Sequence, residues 1–204
     1  MQISLLIQPT TEDLTAQSKW WGAPDLPENI EYPCQEGMPM TFICQIRCSD
    51  IAALDSKNLL PHSGMLYFFA SIGEYLEGFD VGLHNGFGLW DNEAFKVIYS
   101  PTCENLSPLP VLWDDDDTPA FLPAEKIEFH THEIDDGPSF KLLGQPYFTE
   151  VQEQFPDHIS LLQIDELDRW NLRLCDCGML NFLIKPSELK RQEWGKCKFH
   201  FYSF

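Results

Sequence analysis

The chain has 204 residues, 44% of them hydrophobic and 22% charged, enough for one domain whose core needs no disulfide or metal to hold it. Thirty-two acidic side chains against 13 basic ones give a formal charge of −19, which argues against a phosphate-neutralising nucleic-acid surface and against anchoring on an anionic membrane. No apolar stretch approaches the ~20 residues of a bilayer-spanning helix. The opening Met1-Gln2-Ile3-Ser4-Leu5-Leu6-Ile7 lacks the basic start and long apolar run of a signal peptide, so a cytoplasmic location is expected.

Along the chain, Gly22-Ala23-Pro24 is a turn signal. Thr41 to Ile46 carries apolar residues on both faces, as a buried strand does. Ser49 to Leu54 reads as a short helix with Ser49 or Asp50 at its N-cap. Gly64 marks the tight entry to a second buried strand, Met65 to Phe69, and a further strand runs from Phe95 to Tyr99. Asp114-Asp115-Asp116-Asp117 then disfavours both helix and strand through self-repulsion, so an exposed loop is expected there. Lys126 to Ile134 alternates, with Ile127 and Phe129 on one face and Glu128, His130 and His132 on the other.

The remaining segment repeats the first. Gly144-Gln145-Pro146, Leu161-Leu162-Gln163-Ile164, Gly178-Met179-Leu180-Asn181-Phe182, Trp194 and Tyr202-Ser203 follow the order of Gly22-Ala23-Pro24, Ile43-Cys44-Gln45-Ile46, Gly64-Met65-Leu66-Tyr67-Phe68, Trp90 and Tyr99-Ser100. The separations are 122, 118, 114, 104 and 103 residues, falling steadily because the first copy carries the longer insertions. In the second copy Ser187 is read as the cap of a helix that Gly195 stops. The sum is an α+β chain, mainly antiparallel β-sheet with short helices, built from two tandem copies. The first copy spans about 15–100, an acidic intervening segment 101–140, and the second copy 141–204.

Gly144-Gln145-Pro146-Tyr147-Phe148-Thr149, then Leu161 to Asp165, then Asp176-Cys177-Gly178-Met179-Leu180-Asn181-Phe182-Leu183-Ile184, resemble the YwqG-like family, and Gly22 to Phe69 resembles its N-terminal half. The resemblance implies an internally duplicated β-rich fold and no assigned activity, with a hint of an immunity or inhibitor role beside toxin systems. This chain has Leu174-Cys175 where the family usually has Trp-Gly, and it ends Phe201-Tyr202-Ser203-Phe204 instead of a Trp-Asp-Cys-like tail.

Several side chains are candidate sites. Gln45 and Gln163 occupy matching apolar strands, where an amide either satisfies backbone groups or offers a symmetric pair of ligand hydrogen bonds. Asp176, between Cys175 and Cys177, either acts as an acid or base or sets the turn before Gly178. His130-x-His132 is a weak metal-ligand pattern with no third ligand fixed, and no cofactor is expected. Seven cysteines in spacings unlike a zinc knuckle read as reduced thiols. Residues 169–204 carry a balance of +4 and the rest −23, so the C-terminal unit either packs on the acidic part, meets a second chain head to tail, or is placed by chance.

No nucleophile elbow, Walker loop, dinucleotide fingerprint or His-Glu-x-x-His motif is present. The expected function is a non-enzymatic binding module whose loop, Asp114 to Asp117, engages a basic protein partner. The alternative is a small-molecule- or metal-dependent enzyme with a site between the halves.

Overall fold

The computed structural model describes residues 2–76, 85–112, 117–120, 122–131 and 139–204. Fifteen prolines and the bulky, β-branched segments leave little room for long helices. Among the described residues the helices are α1 (Cys48–Ile51), α2 (Thr149–Gln154) and α3 (Pro186–Lys190). The first half supplies strands β1 (Ile3–Gln8), β2 (Lys19–Trp20), β3 (Asp25–Pro27), β4 (Cys34–Gln35), β5 (Met38–Pro39), β6 (Thr41–Arg47), β7 (Met65–Ala70), β8 (Gly88–Leu89), β9 (Phe95–Ser100) and β10 (Leu106–Pro108). The second supplies β11 (Glu125–His130), β12 (Lys141–Gly144), β13 (Ile159–Asp165), β14 (Met179–Ile184) and β15 (Lys198–Tyr202).

Eleven of these form one antiparallel sheet in the order β8-β15-β14-β13-β12-β1-β11-β2-β6-β7-β9, curled as a half-barrel. The order carries the duplication: β2-β6-β7-β9 on one side mirrors β12-β13-β14-β15 on the other. Lys19 opposes Gln45 and Lys141 opposes Gln163, while Gln45 opposes Tyr67 and Gln163 opposes Asn181. Even the irregularities match, since the bulge between Phe42 and Cys44 recurs between Ser160 and Leu162. Trp21 and Leu143 precede the turn glycines and hold φ at +53° and +58°. A left-handed non-glycine residue costs roughly 1–2 kcal/mol. Both copies adopt it at the same place.

The repeat reaches further than the chain's letters suggest. β11 lies inside the segment expected to be intervening, yet it stands to the second copy as β1 stands to the first, 122 residues earlier. The two pair with each other, and Leu6 directly opposes Glu128, its own counterpart. A pseudo-two-fold axis therefore passes between them. Each strand then continues into the other copy's sheet: β1 pairs with β12, and β11 with β2. At the other end of the unit, Ser100 and Tyr202 oppose Met65 and Met179 respectively, so the last strands correspond at a separation of 102. The expected 103 matched letters, and the ladder overrides it by one residue.

The concave face is the main core. Phe68 and Phe182, equivalent residues, meet there edge to face at 5.2 Å, and Phe95 stacks on Phe199 at 5.7 Å as the sheet's ends approach. The convex face carries two smaller clusters. In the first copy Leu26 of β3 packs with Met40, Phe42, Met65, Tyr67 and Phe69. In the second, Val151 of α2 and the flanking Phe148 and Phe155 pack with Met179 and Leu183.

Gly64 and Gly178 are dictated by crowding, because a Cβ at either would sit about 2 Å from a backbone carbonyl oxygen: 2.2 Å from Ser100 O and 2.1 Å from Leu174 O. Two expected caps move. α1 begins at Cys48 with Arg47 at the cap position and no side-chain cap bond, not at Ser49 or Asp50. α3 begins at Pro186, whose fixed φ suits the first helical position, so Lys185 and not Ser187 is the N-cap. Gly195 falls within a separate 3-10 turn, Trp194–Lys196, beyond the helix end at Arg191.

Candidate functional site

The two glutamines face outward on the convex side, each sealed from solvent by the segment that crosses over it. Gln45 Oε1 accepts from Asp25 N at 2.9 Å, and its Nε2 donates to Gln17 O at 2.9 Å and to Asp25 Oδ2 at 2.5 Å. Gln163 Oε1 accepts from Tyr147 N at 2.9 Å, and its Nε2 donates to Ser139 O at 2.9 Å and Ser139 Oγ at 3.1 Å. Both amides thus tie the arriving arm and the Gly-x-Pro turn to a central strand. They stand on β6 and β13, with four strands between them. At ~4.8 Å per strand that is about 24 Å along the sheet, so they do not line one cleft.

Gln163→Leu is expected to cost about 1–3 kcal/mol, because it strands the Tyr147 N–H and the Ser139 carbonyl. Urea denaturation followed by tryptophan fluorescence measures it. A loss under half a kcal/mol (about a twofold change in equilibrium constant) would show that water replaces the amide.

Around Gln45 lies a feature no sequence pattern announced. Asp25 is wholly buried, and its Oδ2 receives the Lys19 ammonium at 2.8 Å and Ala16 N at 3.0 Å in addition to Gln45. Its Oδ1 has no hydrogen-bond partner among the described residues. The Tyr67 hydroxyl donates to Asp25 O at 2.6 Å. In the second copy the place of Asp25 belongs to Tyr147 and that of Tyr67 to Asn181, whose Oδ1 accepts from Ser160 Oγ at 2.7 Å. Lys141 is buried at the matching position to Lys19. The duplicated scaffold thus keeps its glutamine and lysine and changes the polar group beside them.

The other candidates are scattered. Asp176 lies on an exposed loop between Cys175 and Cys177, both at positive φ, and is held by Ser203, whose Oγ accepts from Asp176 N at 3.2 Å and donates to Asp176 O at 2.9 Å. His130 lies on the convex face of β11 with its Nε2 3.3 Å from Glu128 Oε1. His132, Asp114, Asp115 and Asp116 lie outside the described residues, and Asp117 is exposed at φ +55°. Among the described residues no group of three or more His, Cys, Asp or Glu side chains is arranged to hold a metal ion. All seven cysteines are free thiols. Burial raises the pKa of the Cys44 thiol, and that of Cys48 to about 12, which leaves them poor nucleophiles at neutral pH.

Charge in the C-terminal unit is largely spent within the chain. Arg169 bridges to Glu125, which also accepts from Trp170 Nε1 at 2.5 Å, and Lys185 reaches Asp157 at 3.8 Å. Arg173 pairs with Asp168 and Arg191 with Glu193. No described helix is long and apolar enough to cross a membrane.

Set beside known families, the chain matches the one described as "Domain of unknown function (DUF1963)" over residues 18–135 and again over 109–201. The two overlapping matches follow the duplication seen in the sheet. No curated protein sequence matches the chain.

Proposed function

From the premise that the chain belongs to the domain-of-unknown-function family DUF1963, we propose that it is a non-enzymatic binding module whose acidic surface engages a basic protein partner, in the manner of an inhibitor or immunity factor. The observation that carries the reading is the charge of −19 combined with how the few cations are used. Lys19, Lys126, Arg169, Arg173, Lys185 and Arg191 are each paired with a carboxylate of the same chain, so the acidic excess is left to face outward. A field of that sign speeds encounter with a cationic partner and repels polyanions. The finer placement within the YwqG-like group belongs to the same proposal, and rests on the Gly-x-Pro, Gln-strand and Cys-Gly-Met order of the second copy.

Replacing Asp114, Asp115, Asp116 and Asp117 with asparagine tests it. Clustered like charges repel one another and add little to stability, so the melting temperature should hold or rise slightly. Association with a partner captured from lysate at low salt should slow by about tenfold or more and lose most of its salt dependence, as read by stopped-flow or surface plasmon resonance. An association rate unchanged at low salt would sink the docking role of these aspartates.

A further inference from the structure

Across β13, β14 and β15 of the second copy, Gln163, Asn181 and His200 stand in register on the convex face. His200 is 2% exposed, and its flanking partners Asn181 on β14 and Leu89 on β8 do not ionise. Above this row lies the segment formed by α2 and the turn that follows it. Phe155 in that turn presents its ring to His200 at 5.3 Å and to His158, 7% exposed, at 5.6 Å. The Lys198 ammonium sits 5.4 Å from the centre of the same ring. Three nitrogen bases therefore surround one phenyl group, and Nδ1 of each imidazole is buried with no hydrogen-bond partner among the described residues.

That arrangement tolerates the neutral imidazoles and opposes the charged ones. A protonated ring would carry a second N–H into a place with no acceptor and would stand beside existing cations. The charged groups facing His158 are Lys198 on β15, Lys185 after β14, Glu188 on α3 and Asp157 in its own turn, and Asp157 is already within 3.8 Å of Lys185. Burial, reinforced at His158 by Lys198 and Lys185, holds both imidazoles below the usual histidine range.

The overlying segment is short and held to the sheet by a few apolar side chains. α2 has six residues and no side-chain cap bond, and it is anchored by Phe148, Val151 and Phe155. β15 is hydrogen-bonded to β14 along its length. Strain introduced at this interface will be relieved where opening costs least.

We propose that His158 and His200 form a proton-operated latch that keeps residues 148–158 seated on the sheet at neutral pH and releases them on acidification. Release bares the apolar face of Phe148, Val151, Phe155, Met179 and Leu183. Because the folded state prefers the neutral rings, their contribution is complete above the unfolded histidine value of about 6.5 and is lost as pH falls below it. Two protons drive the change, so it is steeper than a single titration. The latch is independent of the acidic docking surface.

Hydrogen exchange on the full-length protein between pH 7.5 and 5.5, corrected for intrinsic rates, tests the proposal. Peptides within 148–158 should lose at least tenfold protection at the lower pH while peptides of β13 and β14 keep theirs. The variant His158→Phe/His200→Phe should retain protection at both. Unchanged protection in the wild type, equal loss in the variant, or simultaneous loss from β13 and β14 would each overturn the latch. If circular dichroism shows the variant unfolded at pH 7.5, NMR titration of wild-type histidine Hε1 signals decides instead. Two rings titrating below the ordinary histidine range together with the α2 resonances support the latch, and ordinary titration near 6.5 overturns it.

Discussion

Lys19→Met is expected to destabilise the protein by about 3–5 kcal/mol, the cost of leaving a buried carboxylate without its counter-ion. Asp25 is fully buried and already has one unsatisfied oxygen, and among the described residues no second cation is paired with it to balance the charge that Lys19 now balances. The same substitution at Lys126, whose bridge to Glu12 is exposed at both ends, should cost under ~1 kcal/mol. The pairing of Lys19→Met with Asp25→Asn should recover most of the loss. The asparagine carbonyl can still accept from Ala16 N and the Gln45 amide while carrying no charge. Urea unfolding of the three variants measures the cycle. A double variant as unstable as Lys19→Met alone would mean that Lys19 acts through packing of its stem and not through its charge.

Phe182→Ala should cost about 3–5 kcal/mol, because the ring touches Phe68, Phe95 and Phe199 in the deepest part of the concave core and a cavity would remain. The pseudo-symmetry adds a sharper expectation. Phe68→Ala removes the same edge-to-face contact from the equivalent position, so the two single variants should fall in the same range. Their double variant should lose less than the sum, since the shared contact can only be removed once. Full additivity would indicate that the two halves melt separately, with no coupling through that ring pair.

The parts of this fold that could be read in the chain are those enforced locally. Gly64 and Gly178 stand where any Cβ would meet a carbonyl oxygen, so they survive as markers of the repeat. Gln45 and Gln163 stood out because an amide inside an apolar strand must bond to something. What escaped is set by pairing across distance. Ile3 to Gln8 and Glu125 to His130 share little beyond an alternation, Leu5 with Ile127 and Ile7 with Phe129, and only their ladder identifies them as equivalents. The Tyr-Ser matches at Tyr99 and Tyr202 misled by one residue for the same reason. In α3 the local rules competed: Ser187 is a good cap, but Pro186 fits the first helical position and wins. The Lys19–Asp25 pair left no signature, because a lysine on a two-residue strand and an aspartate after a proline turn are both ordinary surface patterns.

The crossing of β1 and β11 between the copies also sets a timetable for biosynthesis. β1 leaves the ribosome more than a hundred residues ahead of its partners β11 and β12. At roughly 5–20 residues per second, Ile3, Leu5 and Ile7 wait several seconds or longer with both strand edges unpaired. The first copy meanwhile has β6, β7 and β9 but lacks the strand that borders β2, since that strand is β11. The first copy cannot be bordered before Glu125–His130 has been made, nor the second completed before Lys198–Tyr202. Long-range pairing of this kind slows folding and lengthens exposure of sticky edges. A nascent-chain series arrested at increasing length should therefore stay protease-sensitive through the first copy and become resistant only after β14 and β15 emerge.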